Sequence, residues 1–236
     1  TQRANSIDIN IAINTCYAQV VNHFMYSTTS EVDGEIDVFK AMKENALAVN
    51  MSTELLEDSQ QWGSYVAQQV IAYSQTDIEG ESQILEPQPI SYEPPVGEGF
   101  WTYSADPERA LFPYWESVRT FVITADETSS NAPMAYSEDL NSDYFAQMIE
   151  VYTLNNTAKF EDNEDLWIAE YWSDDVEGLM MSPPGRQISI ANQLIIQHDL
   201  NHETSLVLLL KLGFALNDAA VSTWADKYNY MVMRPN

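Results

Sequence analysis

The chain has 236 residues, 45% of them hydrophobic, with thirty-six acidic against ten basic side chains, a net charge of -26 and a pI near 4.1. That apolar content is enough for a core and excludes a disordered acidic tail, while the acidic surface repels nucleic acid and anionic lipid. Cys16 is the single cysteine, which excludes a disulfide framework and a thiolate metal cluster. The sequence opens at Thr1 without methionine, the expectation for a processed, secreted or periplasmic protein that has lost its leader.

Helical periodicity dominates in chain order. "IDINIAINTCYAQVVNHFMY" carries Ile9, Ile11, Ile13, Tyr17, Val20, Val21 and Phe24 along one helix. "STELLEDSQQWGSYVAQQVIAYSQTD" offers Ser52 or Thr53 as an N-cap. Gly63 inside it costs up to about 1 kcal/mol against alanine, which implies close packing on a neighbouring helix. From about 77 to 131 the prolines of "EPQPISYEPPVGEGFWTYSADPERALFPYW" break helices, and we expect an ordered loop pinned by Trp101, Phe112 and Trp115. Helices resume near Asp139 and over 165–173, and Pro183 and Pro184 open another, where a missing N–H is harmless. The last runs from Asn201 or His202 to about Tyr230, since Pro235 disfavours the α conformation at Arg234. Its apolar run, "SLVLLLKLGFAL", is too short to span a bilayer and contains Lys211, so we expect a buried helix. Strand alternation is scarce. The expected architecture is all-α: a helical bundle with a long proline-rich wrapping loop, 1–236 forming a single domain.

Lys227 and Arg234 fall seven apart near the end, with Trp224 three before Lys227. On a helix these would share one side, and an ammonium with a guanidinium fork suits a tetrahedral oxyanion. On spacing alone, solvation of Lys227 and pairing of Arg234 with an acid is the simpler account. Asp218 sits in an apolar stripe and needs a partner there, which gives it a structural role. His198 and His202 have the spacing of a helical metal pair, but Asp199 to Asn201 reads as a helix break and no third ligand is evident. Asp139, Asn141, Asp143 and Glu150 mimic a calcium loop that lacks its glycine, having Tyr144 instead, so a capped helix start fits better. The sequons at Asn50 and Asn155 are of the kind that arise by chance.

"KYNYMVMRP" resembles the Lys-x6-Arg-Pro motif of the vanadium-dependent haloperoxidases and type-2 phosphatidic acid phosphatases. Upstream, "DAAVSTWADK", "EYWSDDVEGLMMSPPGR" and "ALFPYWESVRTFVI" are similar to further stretches of the haloperoxidases. The resemblance implies that Lys227 and Arg234 bind oxygens of vanadate or phosphate and that Trp224 lies beside the anion or halide pocket. It implies equally that Asp175 orients a second arginine, although a solvated acid in "SDDVEG" explains Asp175 as well. The family's Ser-Gly-His motif and its later Arg and His do not follow here. The expectation is therefore the N-terminal helical portion of a haloperoxidase-like fold, contributing to peroxide-dependent halide oxidation and inactive alone. A second polypeptide carrying the missing motifs would complete it, with small anions as ligands. A phosphatase of the same superfamily, or a non-catalytic protein (carbohydrate-binding or degenerate), is the alternative.

Overall fold

Side chains just ahead of the helices set where most of them begin. The Asp8 carboxylate accepts from the amides of Asn10 and Ile11, and Ser52 from Leu55 at 3.2 Å. Ser142 accepts from Phe145 at 3.1 Å, and Asn201 from Thr204 at 2.9 Å. Each satisfies an amide that the first turn of a helix leaves unpaired. The computed structural model describes residues 6–25, 28–103, 109–158, 164–173 and 181–234. Among them are α1 (Ile9–Phe24), α2 (Ser30–Leu47), α3 (Thr53–Ser74), α4 (Ile78–Leu85), α5 (Asp143–Ala158), α6 (Glu164–Trp172), α7 (Pro183–Gln197) and α8 (His202–Tyr230). There is no strand among them, only an isolated antiparallel bridge between Phe100 and Val232. The all-α class stands. The chain gathers into two compact units, Thr1–Glu81 and Ser82–Asn236.

In the first unit α1 packs on α3 through small residues. The buried face of α1 is Ile11, Ala12, Thr15 and Ala18, against Ser59, Gly63 and Ala67 of α3. This corrects the expected stripe: Ile9 and Tyr17 are exposed, because helices this close have room between them for alanine rather than for large side chains. Gly63 is what permits the approach. A Cβ built there would come within 2.3 Å of the Ala12 carbonyl oxygen and 3.0 Å of the Thr15 Cβ. Polar bonds flank the contact, with the Asp8 amide donating to Ser59 Oγ at 2.8 Å and Gln19 to Ser64 Oγ at 2.8 Å. α2, not anticipated from the sequence, buries no residue, and so carries no apolar stripe to read. Asn14 donates to its Lys40 carbonyl at 3.0 Å.

The second unit is organised by α8. The proline-rich segment begins with α4 rather than as loop, and among the described residues from 86 to 142 the helical pieces are two short 3₁₀ turns, Trp115–Ser117 and Ala125–Glu127. Several of its backbone groups, at 111, 119, 121–123, 128 and 130, are met by α8 side chains. Asp218 accepts from three successive amides, Phe121 (2.8 Å), Val122 (2.7 Å) and Ile123 (3.0 Å), while Asn217 donates to the Arg119 carbonyl at 2.8 Å. Ser222, Asp226 and Tyr230, one turn apart, hold Thr128 and Ser130. Beyond the helix, the Trp101 amide donates to Met231 at 2.7 Å and the Met233 amide to Gly99 at 3.0 Å. This is the expected wrapping loop, and the expected structural role for Asp218.

α8 is not the buried helix expected. None of residues 202–217 is buried, and Val207 and Leu210 are 44% and 56% exposed. The loop's hydrogen bonds to the helix begin at Asn217, with Phe121 stacked on Phe214 just before it, and α7 covers one side. By length and composition alone α8 passes as a membrane span, with a mean hydropathy of 1.5 and 11% of that stretch buried.

Gly63→Ala is expected to destabilise the fold by about 1–3 kcal/mol, the usual range for overpacking. Gly34→Ala, in the interior of α2 with nothing within 4 Å of its Cβ, is expected to be neutral or stabilising by about 0.4–1 kcal/mol. Urea unfolding of the two variants side by side tests the difference.

Burial pushes the Asp218 carboxyl up, but the three amide donors and Asn217 outweigh it and hold the group below the usual carboxylate range. A depressed carboxylate stabilises the fold above the unfolded-state pKa, and that contribution disappears as pH falls through the folded value. Asp218→Ala is accordingly expected to lose on the order of 2–3 kcal/mol at neutral pH, from orphaned amides. Its deficit against the native chain should narrow in acid, as read from denaturation curves over a pH series.

Candidate functional site

The end of α8 and the residues after it form an aromatic, cationic corner of the second unit. Trp224 and Tyr228 lie four apart on α8 and converge on one carbonyl: Trp224 Nε1 donates to Leu111 O at 3.1 Å and the Tyr228 hydroxyl at 2.6 Å. The next residue, Phe112, has φ 54°, an outlier for a bulky side chain. Left-handed backbone at such a residue costs about 1–2 kcal/mol. The Phe112 amide bond to Pro87 O (2.7 Å) and its ring contacts with Trp115 (4.8 Å) and Trp224 (6.4 Å) hold it there. The turn at 111–115 is therefore fixed from several directions at once. Tyr92 adds edge contacts to Tyr114 (5.6 Å) and Tyr228 (5.5 Å).

Lys227 is half-buried, its Nζ 4.7 Å from the Trp224 ring centre and 5.6 Å from that of Tyr228. A cation over these ring faces is held by their quadrupoles. Arg234 is not on the helix. α8 stops at Tyr230, and Met231 caps it in the left-handed conformation (φ 46°, ψ 41°), its amide bonding to Lys227 O. Residues 231–233 then run against 99–101, so the position of Arg234 depends on that pairing and not on two turns of helix. Arg234 is exposed, yet its charge acts on the Tyr228 hydroxyl. Tyr228, between the two cations in sequence, is thus where Lys227 and Arg234 both make themselves felt. Asp175 lies outside the described residues.

Burial pushes the Tyr228 hydroxyl well above the ordinary tyrosine value, Tyr92 and Tyr103 reinforce it, and Arg234 opposes it. Tyr92 is likewise raised, chiefly by burial and then by Tyr114. At neutral pH both are neutral donors. The indole N–H groups of Trp101 and Trp115 are buried with no acceptor among the described residues. Such orphaned donors are rare in folded proteins. The sequence singles out Trp224, Lys227 and Arg234 but not Tyr228, Tyr92 or the Leu111 carbonyl beside them. A tyrosine among thirteen and a backbone oxygen leave no mark in the sequence.

Elsewhere the candidates resolve structurally. His198 caps the end of α7, Asp199 turns with φ 47°, and His202 opens α8, so the pair belongs to two helices. Asp139 accepts from the Asn141 amide at 2.9 Å in the turn before α5, the capped helix start expected there.

The helical architecture is that of a haloperoxidase-like fold. The chain superposes on the crystal structure described as the first bacterial vanadium-dependent iodoperoxidase, with a TM-score of 0.81 at 20% identity, over 97% of this chain and 54% of that one. It spans about half the length of that protein, and at this identity the likeness is one of fold. No protein-family model and no curated protein matches the sequence.

A raised tyrosine stabilises the fold below the ordinary value of about 10, and the contribution is lost as pH climbs through the folded value. Alkaline titration followed by tyrosinate absorbance should show a late-ionising fraction, diminished in Tyr228→Phe. Loss of the bond to Leu111 should also lower stability by about 0.5–1.5 kcal/mol.

Proposed function

We propose that this chain supplies the lysine and arginine limb of an oxyanion site in a haloperoxidase-like enzyme, with vanadate as the cofactor. One observation carries the reading: Lys227, on a chain of net charge -26, is held over Trp224 at the end of α8 in a fold shared with a vanadium iodoperoxidase. The donor set suits such a group. Lys227, Arg234 and the unmet indole N–H groups of Trp101 and Trp115 are all donors, and the neighbouring tyrosines stay protonated. Bound vanadate would supply peroxide-dependent oxidation of a halide.

The chain's own residues have definite parts in this scheme. Lys227 balances charge on the oxyanion, an electrostatic role of the oxyanion-hole kind. Trp224 fixes Lys227 by its ring while its N–H is engaged by Leu111, so its contribution is positioning and apolar lining rather than hydrogen bonding to the anion. Arg234 adds a planar fork from the segment paired with 99–101, a geometry suited to two oxygens at once. Asp175 keeps its expected role of orienting a second arginine. The remaining acid–base and ligand residues would come from a second polypeptide bearing Ser-Gly-His and the later Arg and His. The same cradle takes phosphate, so a phosphatase of the superfamily is the sibling reading.

Lys227→Ala is expected to weaken vanadate or phosphate binding by about 1.5–3 kcal/mol, the range for hydrogen bonds to charged groups. Calorimetric titration with each anion measures this and ranks vanadate against phosphate. Equal affinity in the native and variant chains would remove Lys227 from the site.

A further inference from the structure

α3 turns Ser59, Gly63 and Ala67 to α1, and its other side is unusual for a chain of net charge -26. From Ser59 to Thr76 no residue is charged. The outward positions are carboxamides and rings instead. Gln61, Gln68 and Gln69 are exposed, and Trp62, Tyr65 and Tyr73 are 45%, 48% and 54% exposed. A surface helix ordinarily sets charged groups outward, as α2 does with Glu31, Asp33, Glu35 and Asp37.

An open groove of about 310 Å³ runs along this side, lined by Glu57, Gln60, Gln61, Ser64, Tyr65 and Gln68. These residues recur at three and four along the helix, over about 16 Å at 1.5 Å per residue. Gln19 of α1 donates to Ser64 Oγ at 2.8 Å and fixes that hydroxyl. The Tyr65 ring lies 5.5 Å from that of Trp62 with the planes only 30° apart, so the two faces point nearly the same way. Most other described ring pairs meet edge-on.

The lining selects its ligand by chemistry. Among the described residues no Lys or Arg lines the groove, which disfavours an anion, and the single carboxylate of Glu57 is too few for a metal ion. Each glutamine offers two donors and an acceptor. A packed helix, from another protein or from a further part of this chain, would bury Gln60, Gln61 and Gln68 without meeting all of those groups, at a cost for each one left unmet. An apolar molecule or a bilayer fails on the same ground. A ligand dense in hydroxyls, each a donor and an acceptor at once, meets them. The C–H face of a sugar ring also packs on an aromatic face.

We infer that this groove, with the Trp62–Tyr65 platform beside it, binds a neutral oligosaccharide. Neutrality follows from Glu57 and the acidic surface, which repel uronate and sulfated glycans. The site stands apart from the oxyanion reading, because Lys227 belongs to the second unit.

The test screens the full chain on an array of neutral, uronate and sulfated oligosaccharides and titrates the bound members by calorimetry. Saturable binding to neutral members alone is expected, weakened at least tenfold in Trp62→Ala and in Tyr65→Ala. Gln61→Glu, which adds charge and removes two donors at an exposed position, should weaken it as well. Circular dichroism and the thermal midpoint should stay unchanged in all three. Binding to no neutral member, preference for acidic members, or affinity that none of these variants alters would each overturn the proposal. Lys227→Ala should leave glycan affinity as it is in the native chain, so that this site and the oxyanion site fail separately.

Discussion

A long segment without regular structure survives in a folded protein only if its amides and carbonyls find partners, and in the second unit side chains of one helix supply them at 111, 119, 121–123, 128 and 130. The carboxylate of Asp218 is the central case. It faces three consecutive amides, Phe121 to Ile123, and is itself 4% exposed. A buried carboxylate without donors would be strongly unfavourable, and a loop with unmet amides would be as well. Each answers the other's need. Ser222, Asp226 and Tyr230 continue the arrangement at 128–130, and Trp224 and Tyr228 extend it to Leu111. The loop is in effect written onto α8.

That arrangement explains why the candidate site lies where it does. Trp224 and Tyr228 orient the ring faces that hold Lys227 by gripping the Leu111 carbonyl. The strained backbone of Phe112 follows from the same grip. Non-glycine residues with positive φ persist only when their surroundings over-determine them, and they gather at functional positions. Arg234 is placed by the pairing of 231–233 with 99–101, again loop against the end of α8. The cations of the corner are therefore fixed by the elements that give the unit its stability, a route to preorganised charge in a chain with few bases.

The same helix has two characters along its length. From Asn217 onward its polar side chains read loop backbone, and over the turns before that point its surface is largely apolar, with Val207 and Leu210 exposed. The contrast is chemical. Leu206 to Leu216 offers only apolar groups apart from Lys211, so it has little with which to satisfy loop backbone. Apolar area of this kind is stabilised by removal from water, which a packed partner supplies.

How much of this was legible in the sequence depends on the range of the interaction. Helix limits were, at Ser52, Pro183 and Asn201 to Tyr230, because caps and breakers act within four residues. So was the need for a partner at Asp218, since the cost of a lone buried acid is local, and the close approach at Gly63, since a helical glycine is unfavourable without one. The sequence also placed Lys227 and Arg234 in a recognisable motif. It could not show that the burying face of α1 is Ile11, Ala12, Thr15 and Ala18 while Ile9 and Tyr17 stay exposed, because that depends on how near α3 comes. Nor could it show Tyr228, the Leu111 carbonyl and Phe112 as parts of one corner: Leu111 and Tyr228 are 117 residues apart. What the sequence determined alone is the chemistry available at each position and its local conformation. Which groups meet, and which face of α8 is left open, were decided by tertiary packing, because contacts between distant segments have no counterpart in the spacing of residues along the chain.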